Sequence, residues 1–377
     1  MKVRLERDVM ADAVAWVART LPSRPSQPIL AAILIESSDT GTDEVVLSGF
    51  DKETSAQVHV AADVSEPGRV LVSGRLLAEI ARALPAQPVE LILHDRQLAV
   101  RCGRASFTLP TFNVEDYPRL PDMPDSSGTI PGAIFAEAVA QVALAAGRDD
   151  TLPVLTGVRL EVAGDSITLA ATDRYRLAVR EFNWSPKHPG IDTQALIPAR
   201  VLADTAKALA GADEVHLALA QGGEGLLGIS GHGRRTTTRL LDGEFPKYRS
   251  LLPTESVSTA TLSTADLVEA VKRVALVAER NSPLRLSFNG GEVNLSAGTG
   301  DEARADEAVE CTLDGESIDI AFNPQYLIDG LGAIDSPITH MSFTASSRPA
   351  VVTGMTEPGA LSQTQYRYLL MPIRLAG

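Results

Sequence analysis

The glycine-rich string GEGLLG, at residues 223–228, is the first candidate for chemistry in this sequence. Its spacing matches the GxGxxG fingerprint that cradles a dinucleotide, but that fingerprint requires a strand before the glycines and a helix after them. The residues that follow, ISGHGRRTTTRL, are rich in glycine and threonine and predict further strand and turn. We therefore expect a hairpin loop here, and a nucleotide-binding enzyme is the alternative that this string would support.

The remaining reactive side chains do not form a catalytic or metal-binding pattern. The six histidines include no HxxxH pair, the spacing that places two imidazoles on one helix face. Cys102 and Cys311 lie far apart in sequence and are predicted to be buried thiols. Asp173, in ATDRYR at residues 171–176, is followed by no second carboxylate or histidine at a useful spacing, so a tight turn is expected. These patterns predict a protein that is not an enzyme and needs no cofactor or metal.

Composition limits the classes of protein to which the chain can belong. The chain has 377 residues, 44% of them hydrophobic and 22% charged, as in ordinary globular proteins. No apolar run approaches the roughly 18 residues of a membrane span, and the first residues, MKVRLERDVM, lack the apolar core of a secretory signal. A cytoplasmic location is therefore expected. The net charge of −14 argues against a protein that coats nucleic acid by bulk attraction.

The helical pattern that must position any site occurs three times. ADAVAWVA at residues 11–18 returns as AEAVAQVA at 136–143 and as VEAVKRVA at 268–275, at intervals of 125 and 132 residues. This period exceeds that of solenoid repeats and equals a small domain. The sequence therefore predicts one domain written three times.

A second shared segment gives each repeat a second helix. Residues 71–84, 196–209 and 321–334 each read as an extended apolar piece, a turn and an amphipathic helix. The inward faces of the first two are predicted from helical spacing to be Leu76, Leu77, Ile80 and Leu84, and Leu202, Thr205, Ala206 and Leu209. Alternating runs such as EVVLSGF and SITLAAT predict strands between them. The fold class is therefore α+β, with six helices and antiparallel sheets.

Proline-rich connectors divide the repeats. They lie at residues 115–132 and 243–258, and they predict domains at 1–122, 123–253 and 254–377.

Basic residues recur on the outward faces of these helices. The helical pattern predicts that Val9, Ala13, Val17 and Leu21 face the core in the first repeat, Phe135, Val139 and Val142 in the second, and Leu267, Val271 and Val274 in the third. Gln141 is then expected to be exposed. The outward basic residues of the later helices include Arg148, Arg200, Lys207, Lys272 and Arg273. A shared basic surface is one interpretation. The alternative is an ordinary solvated face with ion pairs, since Glu79 and Glu269 lie nearby.

Three strings carry a family resemblance: ATDRYRLAV at 171–179, LDGEFPKYRSLLP at 241–253 and YLLMPIRL at 368–375. In this order and spacing, with GRLLAEIARALP and GRDDTLPVLTGVRLEV, the chain resembles the bacterial DNA polymerase III β subunit, the replicative sliding clamp. The resemblance covers the whole chain. It implies three clamp domains per chain and a head-to-tail homodimer that closes a ring around double-stranded DNA without reading its sequence.

The resemblance also implies a pocket for short linear peptides between the second and third repeats. Its expected partners are the polymerase III catalytic subunit, the clamp loader, and other polymerases and repair proteins. The matching positions are Leu155, Thr172, Arg174, Tyr175, Arg176, Leu177, Pro246, Ser250, Leu251, Asn323, Tyr326, Met371, Pro372, Ile373 and Arg374. Arg174, Tyr175 and Ser250 depart from residues common in the family. A clamp paralogue with altered partner or inhibitor binding is therefore the alternative function.

Two further residue sets follow from the resemblance and the helix faces. The residues expected to face DNA are Arg24, Arg148, Arg200, Lys207, Lys272 and Arg273. The residues expected at the dimer interface are Arg75, Phe107, Leu109, Ala275 and Leu276. Phe107 and Leu109 are predicted to lie on an exposed edge strand, which a second subunit would cover.

Overall fold

The computed structural model describes residues 1–37, 43–219, 225–278, 282–298, 303–357 and 359–374. In these residues the α-helices fall two to each repeat, as predicted. They are α1 (Arg7–Ala18), α2 (Gly74–Ala83), α3 (Gly132–Ala143), α4 (Ala199–Ala208), α5 (Thr264–Val274) and α6 (Pro324–Gly332). Across the same ranges, no helix combines the length and apolar character that crossing a bilayer requires.

Nine strands occupy the described part of each repeat. The first repeat holds β1 (Lys2–Leu5), β2 (Ala32–Ser37), β3 (Glu44–Phe50), β4 (Thr54–Ala61), β5 (Asp63–Glu66), β6 (Gly68–Ser73), β7 (Val89–His94), β8 (Gln97–Cys102) and β9 (Ala105–Phe112). The second holds β10 (Gly128–Ile130), β11 (Gly157–Ala163), β12 (Ser166–Thr172), β13 (Arg176–Asn183), β14 (Ser185–Pro186), β15 (Asp192–Pro198), β16 (Val215–Leu219), β17 (Leu226–Gly231) and β18 (Arg234–Arg239). The third holds β19 (Ser258–Ser263), β20 (Leu284–Asn289), β21 (Glu292–Ala297), β22 (Ala305–Glu310), β23 (Thr312–Asp314), β24 (Ile318–Phe322), β25 (Ile338–Phe343), β26 (Ala350–Met355) and β27 (Gln363–Leu370).

The strands form three antiparallel sheets. One has fourteen strands in the order β14-β10-β16-β17-β18-β4-β3-β2-β6-β9-β8-β7-β1-β5, one has nine in the order β15-β11-β12-β13-β27-β26-β25-β19-β23, and one has four in the order β22-β21-β20-β24. The second repeat contributes to the two larger sheets, because β18 pairs with β4 of the first repeat and β13 pairs with β27 of the third. The α+β class with antiparallel sheets is confirmed.

The chain packs as two compact units. The first comprises Met1–Ala136, Trp184–Pro189 and Ala203–Leu240, and the second comprises Glu137–Asn183, Gly190–Leu202 and Leu241–Gly377. The second repeat is divided between them, since its strands extend the sheets of both neighbours. The three domain boundaries read from the sequence stay a prediction.

The helix faces of the first unit differ slightly from expectation. In α1, Met10, Val14 and Val17 are buried, whereas Val9, predicted to face inward, is 40% exposed. In α2, Leu77 is fully buried, but Leu76, also predicted inward, is exposed. The other residues predicted to face inward within these helices, Ala13, Val17 and Ile80, are buried. Packing selects the buried residues, as α1 lies against β3 and β4.

Helices α3 and α5 bury the predicted residues. Phe135, Val139 and Val142 are buried in α3, and Leu267, Val271 and Val274 are buried in α5. The correction concerns Gln141, which is buried and not exposed, because its Nε2 donates a 3.0 Å hydrogen bond to the carbonyl of Ala333.

The glycine-rich string precedes a strand. Residues 223 and 224 lie outside the described residues, but β17 begins two positions later and pairs antiparallel with β16. A strand therefore stands where a dinucleotide fingerprint requires a helix N-terminus. The hairpin interpretation fits this arrangement, and the nucleotide-binding alternative does not.

Candidate functional site

A tight turn between β12 and β13 presents the first part of the site. The Asp173 carboxylate accepts hydrogen bonds from the backbone N–H groups of Tyr175 and Arg176, each at 3.0 Å. Thr172 Oγ1 donates to the Arg176 carbonyl at 2.7 Å and accepts from the Arg174 N–H at 3.2 Å. These bonds hold Arg174 at a φ of 80°, in the left-handed region that side chains disfavour. As a result Tyr175 points outward, with 56% of its surface exposed.

Arg176 lies buried beneath this turn and ties it to α6. Its Nε donates to Asp173 at 2.9 Å and its Nη1 donates to Asp329 at 2.6 Å. Its guanidinium lies 4.3 Å from the centre of the Tyr326 ring, which in turn stacks on Tyr175 at 6.4 Å. Burial lowers the pKa of Arg176, but the hydrogen bond to Asp329, the interaction with Tyr368 and the charge of Asp173 together outweigh burial and hold that pKa above the usual arginine range. The stacked rings of Tyr326 and Tyr175 therefore rest on a charged, hydrogen-bonded support.

The segment after β27 forms the next part. β27 pairs with β13 so that Leu370 lies opposite Arg176. Beyond the strand, the Met371 N–H donates to the Tyr175 carbonyl at 2.9 Å, and the Ile373 N–H donates to the Ala321 carbonyl at 2.8 Å. The Met371 side chain is 40% exposed. The second repeat, through Tyr175, and the third, through Met371, thus contribute neighbouring apolar side chains to one surface.

Helix α6 is positioned by two close contacts. Asn323 caps its first turn by accepting hydrogen bonds from the N–H groups of Gln325 and Tyr326. The buried Tyr368 donates a 2.8 Å hydrogen bond to the Tyr326 carbonyl. Gly330 allows this packing, since a Cβ there would lie 2.2 Å from the Tyr368 ring.

The β12–β13 turn and α6, together with residues 146–155, line an open cleft of about 500 Å³. Its lining residues are Ala146, Gly147, Arg148, Asp149, Leu152, Leu155, Asp173, Arg174, Tyr175, Arg176, Gln325, Tyr326 and Asp329. Leu152, Tyr175 and Met371 leave more than a third of their surfaces exposed, as does Leu251 in the connector. Exposed apolar side chains beside a few polar groups are typical of a surface that binds another molecule.

The structure divides the predicted peptide-site residues into three groups. The first group lines the cavity and contains Leu155, Arg174, Tyr175, Arg176 and Tyr326. The second lies on the connector or the last segment and contains Pro246, Ser250, Leu251, Met371, Pro372, Ile373 and Arg374. The third supports the site from beneath and contains Thr172, Leu177 and Asn323; Thr172 and Leu177 are buried, and Asn323 caps α6.

Sequence reasoning did not assign seven of the lining residues to the site, and it assigned an eighth elsewhere. Leu152 and Asp329 line the cavity without having been predicted, and Arg148 lines it although it was assigned to DNA. Leu152 had a usable sequence signal, because it is a leucine within the polar stretch GRDDTLP, whereas Asp329 had none.

Several predicted basic residues are engaged in ion pairs. Lys272 Nζ lies 2.9 Å from Glu269, Arg273 lies 2.6 Å from Glu307, and Arg75 lies 3.1 Å from Glu79. At these positions the solvated helix face with paired charges describes the structure. Arg24, Arg148, Arg200 and Lys207 are exposed.

The predicted edge strand is present, with one correction. Residues 105–110 of β9 pair with β8, and β6 reaches β9 only at Thr111 and Phe112, so one edge is open among the described strands. Phe107 is 37% exposed, but Leu109 is buried and not exposed, because its side chain packs in the core of the first unit. In the second unit, Leu276 is 83% exposed and Ala275 is half-buried.

Comparisons with known proteins give a consistent result. Family models described as the N-terminal, central and C-terminal domains of the DNA polymerase III beta subunit match residues 1–121, 129–247 and 249–374. The chain belongs to the DNA polymerase III beta subunit family, the bacterial sliding clamps. Its function is therefore that of a sliding clamp, a processivity factor without catalytic activity of its own.

The relatives agree over full length. The chain is 57% identical over 379 residues to a beta sliding clamp of Streptomyces coelicolor, covering 100% of both proteins. It is 44% identical over 374 residues to the beta sliding clamp homolog GriR of Streptomyces muensis, covering 99% of both. The crystal structure of the DNA polymerase sliding clamp from Bacillus subtilis matches with a TM-score of 0.89 at 26% identity, covering 100% of both chains.

Proposed function

We propose that this clamp closes as a head-to-tail homodimeric ring around duplex DNA and tethers the replicative polymerase to it. The full-length match at 57% identity to a beta sliding clamp carries this proposal. A topological link needs no base contacts, and it fits a chain with a net charge of −14. The work would take place in the cytoplasm, where the chromosome is copied.

Loading onto circular DNA tests the ring directly. Protein loaded by the clamp loader onto a nicked circle should be released once the circle is linearised, because a ring slides off a free end. Retention on linear DNA with free ends at moderate salt would indicate ordinary phosphate binding and would contradict the proposal.

The surface around Tyr175 and Met371 is proposed as the docking site for partner peptides. Its aromatic and aliphatic side chains suit the hydrophobic anchors of a short peptide, and Arg174 offers a polar group near them. The proposed partners are the polymerase III catalytic subunit, the clamp loader, and other polymerases and repair proteins. Titration of labelled peptides from each partner tests the assignment.

The subunit interface is proposed to form between Phe107 and Arg75 of one subunit and Ala275 and Leu276 of the other. Open strand edges and exposed apolar side chains are unfavourable in a free subunit, and pairing would cover them. Phe107→Asp combined with Leu276→Asp should give a folded monomer by light scattering. Leu361→Asp, at a residue 94% exposed, is the matched control and should stay dimeric. A dimeric double variant would place the interface elsewhere.

Contact with the DNA backbone is proposed for Arg24, Arg148, Arg200 and Lys207, together with the paired Lys272 and Arg273. Charge reversal of Arg24 and Lys207 should reduce loading efficiency in a salt-dependent way and leave the dimer intact. If loading were unchanged across salt concentrations, these residues would be only a solvated surface.

A paralogue with altered partner or inhibitor binding is the second candidate. Two observations support this alternative. The chain is 44% identical to the homolog GriR, and Arg174, Tyr175 and Ser250 depart from residues common in the family. A peptide from the replicative polymerase of the same organism separates the two functions, because a paralogue would bind it weakly.

A further inference from the structure

A second cleft lies between the connector that joins the second and third repeats and the strands β11 and β15. It has a volume of about 550 Å³ and is lined by Arg159 and Glu161 of β11, by Gln194 of β15 and by residues 243–250. Pro246 and Ser250 belong both to this cleft and to the proposed peptide site. On the proposed assignment of these two residues, the cleft would extend the peptide site along the connector.

The Glu161 carboxylate at the floor of this connector cleft is already paired with groups of the protein itself. Tyr248 donates a 3.0 Å hydrogen bond to Glu161, Arg249 lies 2.6 Å from it, and Arg159 lies 3.4 Å from it. Burial would raise the pKa of Glu161, but the hydrogen bonds from Arg249 and Tyr248 outweigh it and lower that pKa. Glu161 thus stays ionised and occupied by its own partners.

The lining then carries a surplus of positive charge. Three cations, Arg159, Lys247 and Arg249, stand against two carboxylates, Glu161 and Glu244. Arg249 is 64% exposed and lies 5.0 Å from the Tyr248 ring centre, using Nη2 for its ion pair. A guanidinium carries five N–H donors, so this ion pair leaves others that can bind a further acceptor.

Lys247 is the clearest free cation of the cleft. It is exposed, and its ammonium has no ion-pair partner within the described ranges. The turn uses only its backbone, since Ser250 donates to the Lys247 carbonyl through Oγ at 2.7 Å and through N–H at 3.2 Å. The side chain can therefore be changed without removing a structural contact.

The first repeat contains a matching cleft with balanced charge. Its positions 34, 36 and 69 precede 159, 161 and 194 by 125 residues each, and Tyr117 stands where the second has Tyr248. There Arg69 lies 2.6 Å from Glu36, and Arg119 lies 3.2 Å from Asp122. The lining has two cations and two carboxylates, so it offers a control within the same chain.

We infer that the connector cleft is an acid-selecting extension of the peptide site, which takes an aspartate or glutamate side chain flanking the hydrophobic anchors of a partner peptide. The inference rests on the proposed function and deepens it. Its carriers are the shared Pro246 and Ser250 and the free Lys247. The net charge of −14 repels acidic peptides in general, so any preference for acid must come from this local surplus.

Fluorescence anisotropy with extended peptides tests this inference. A core polymerase peptide would carry three aspartates or three asparagines at its N-terminal or its C-terminal end. At low salt, aspartates at one end should tighten binding about threefold to tenfold over asparagines. The gain should disappear near 0.5 M salt, because screening shortens the range of exposed charges.

Two variants locate the effect. Lys247→Glu should abolish the gain from aspartate, whereas Arg119→Glu in the first-repeat cleft should retain it. Equal affinity for aspartate and asparagine extensions in the unmodified protein would overturn the inference, as would an undiminished gain in Lys247→Glu. If the core peptide itself failed to bind, the proposed docking function would fall, and the extension with it.

Discussion

Replacement of Arg176 by methionine should weaken both the fold and the proposed peptide site. Arg176→Met leaves Asp173 and Asp329, which are 13% and 28% exposed, without their common counter-ion. Breaking a buried pair by removing one partner costs about 3–5 kcal/mol, and the partial exposure of Asp329 places this case near the lower end. Loss of the cation over the Tyr326 ring contributes about 1 kcal/mol more. We expect the free energy of unfolding to fall by about 4 kcal/mol.

Urea unfolding followed by circular dichroism measures this loss. Arg176→Met with Asp329→Asn should be about 1 kcal/mol more stable than Arg176→Met alone, because one unpaired charge is removed. Arg304→Met, which breaks an exposed pair with Asp306 in the same unit, is the control and should cost less than about 1 kcal/mol. If Arg176→Met cost no more than this control, the buried cluster would not support the site.

Three further predictions concern the site and the third repeat. A chain that ends at Leu370 loses the backbone hydrogen bonds of Met371 and Ile373, about 1 kcal/mol each, and should bind a polymerase peptide at least about tenfold less tightly; unchanged affinity in titration would remove this segment from the site. Gly330→Ala forces a Cβ to 2.2 Å from Tyr368 and should destabilise the protein by about 1–3 kcal/mol; a wild-type melting temperature would contradict the packing argument. Burial lowers the pKa of His340 below its usual 6.5, so the unfolded chain takes up the proton first and stability should fall as the pH drops below about 6.5. His340→Gln should reduce the difference between urea midpoints at pH 7.5 and 5.5, and an equal difference would contradict it.

Local pattern predicted the elements well where one signal dominated. EVVLSGF and SITLAAT match β3 and β12 residue for residue, because strict alternation and flanking turns leave little choice. The face of α1 was harder to predict. Apolar residues surround much of this helix, so two faces one residue apart fit the helical period almost equally. The sheet beneath α1 selects Met10 and Val14 over Val9.

Contacts that are distant in sequence explain several of the remaining errors. Arg176 and Asp329 are 153 residues apart, and Gln141 and Ala333 are 192 apart, so no local pattern reports them. Leu109 shares a strand face with Phe107, but only Leu109 reaches the core of the first unit. The resemblance to a family supplied the peptide-site positions, which composition and spacing alone did not provide.

The pairing of β13 with β27 has a consequence for synthesis of the chain. A ribosome makes β13 long before β27, so one edge of β13 and the backbone carbonyl of Tyr175 must wait for their partners during translation. Domains fold largely in the order in which they emerge, yet the proposed docking surface needs both β13, which is made early, and the segment after β27, which is made last. An unfinished polypeptide therefore cannot present the complete surface. Binding of a polymerase peptide to the proposed site would therefore require a chain whose synthesis has passed Met371.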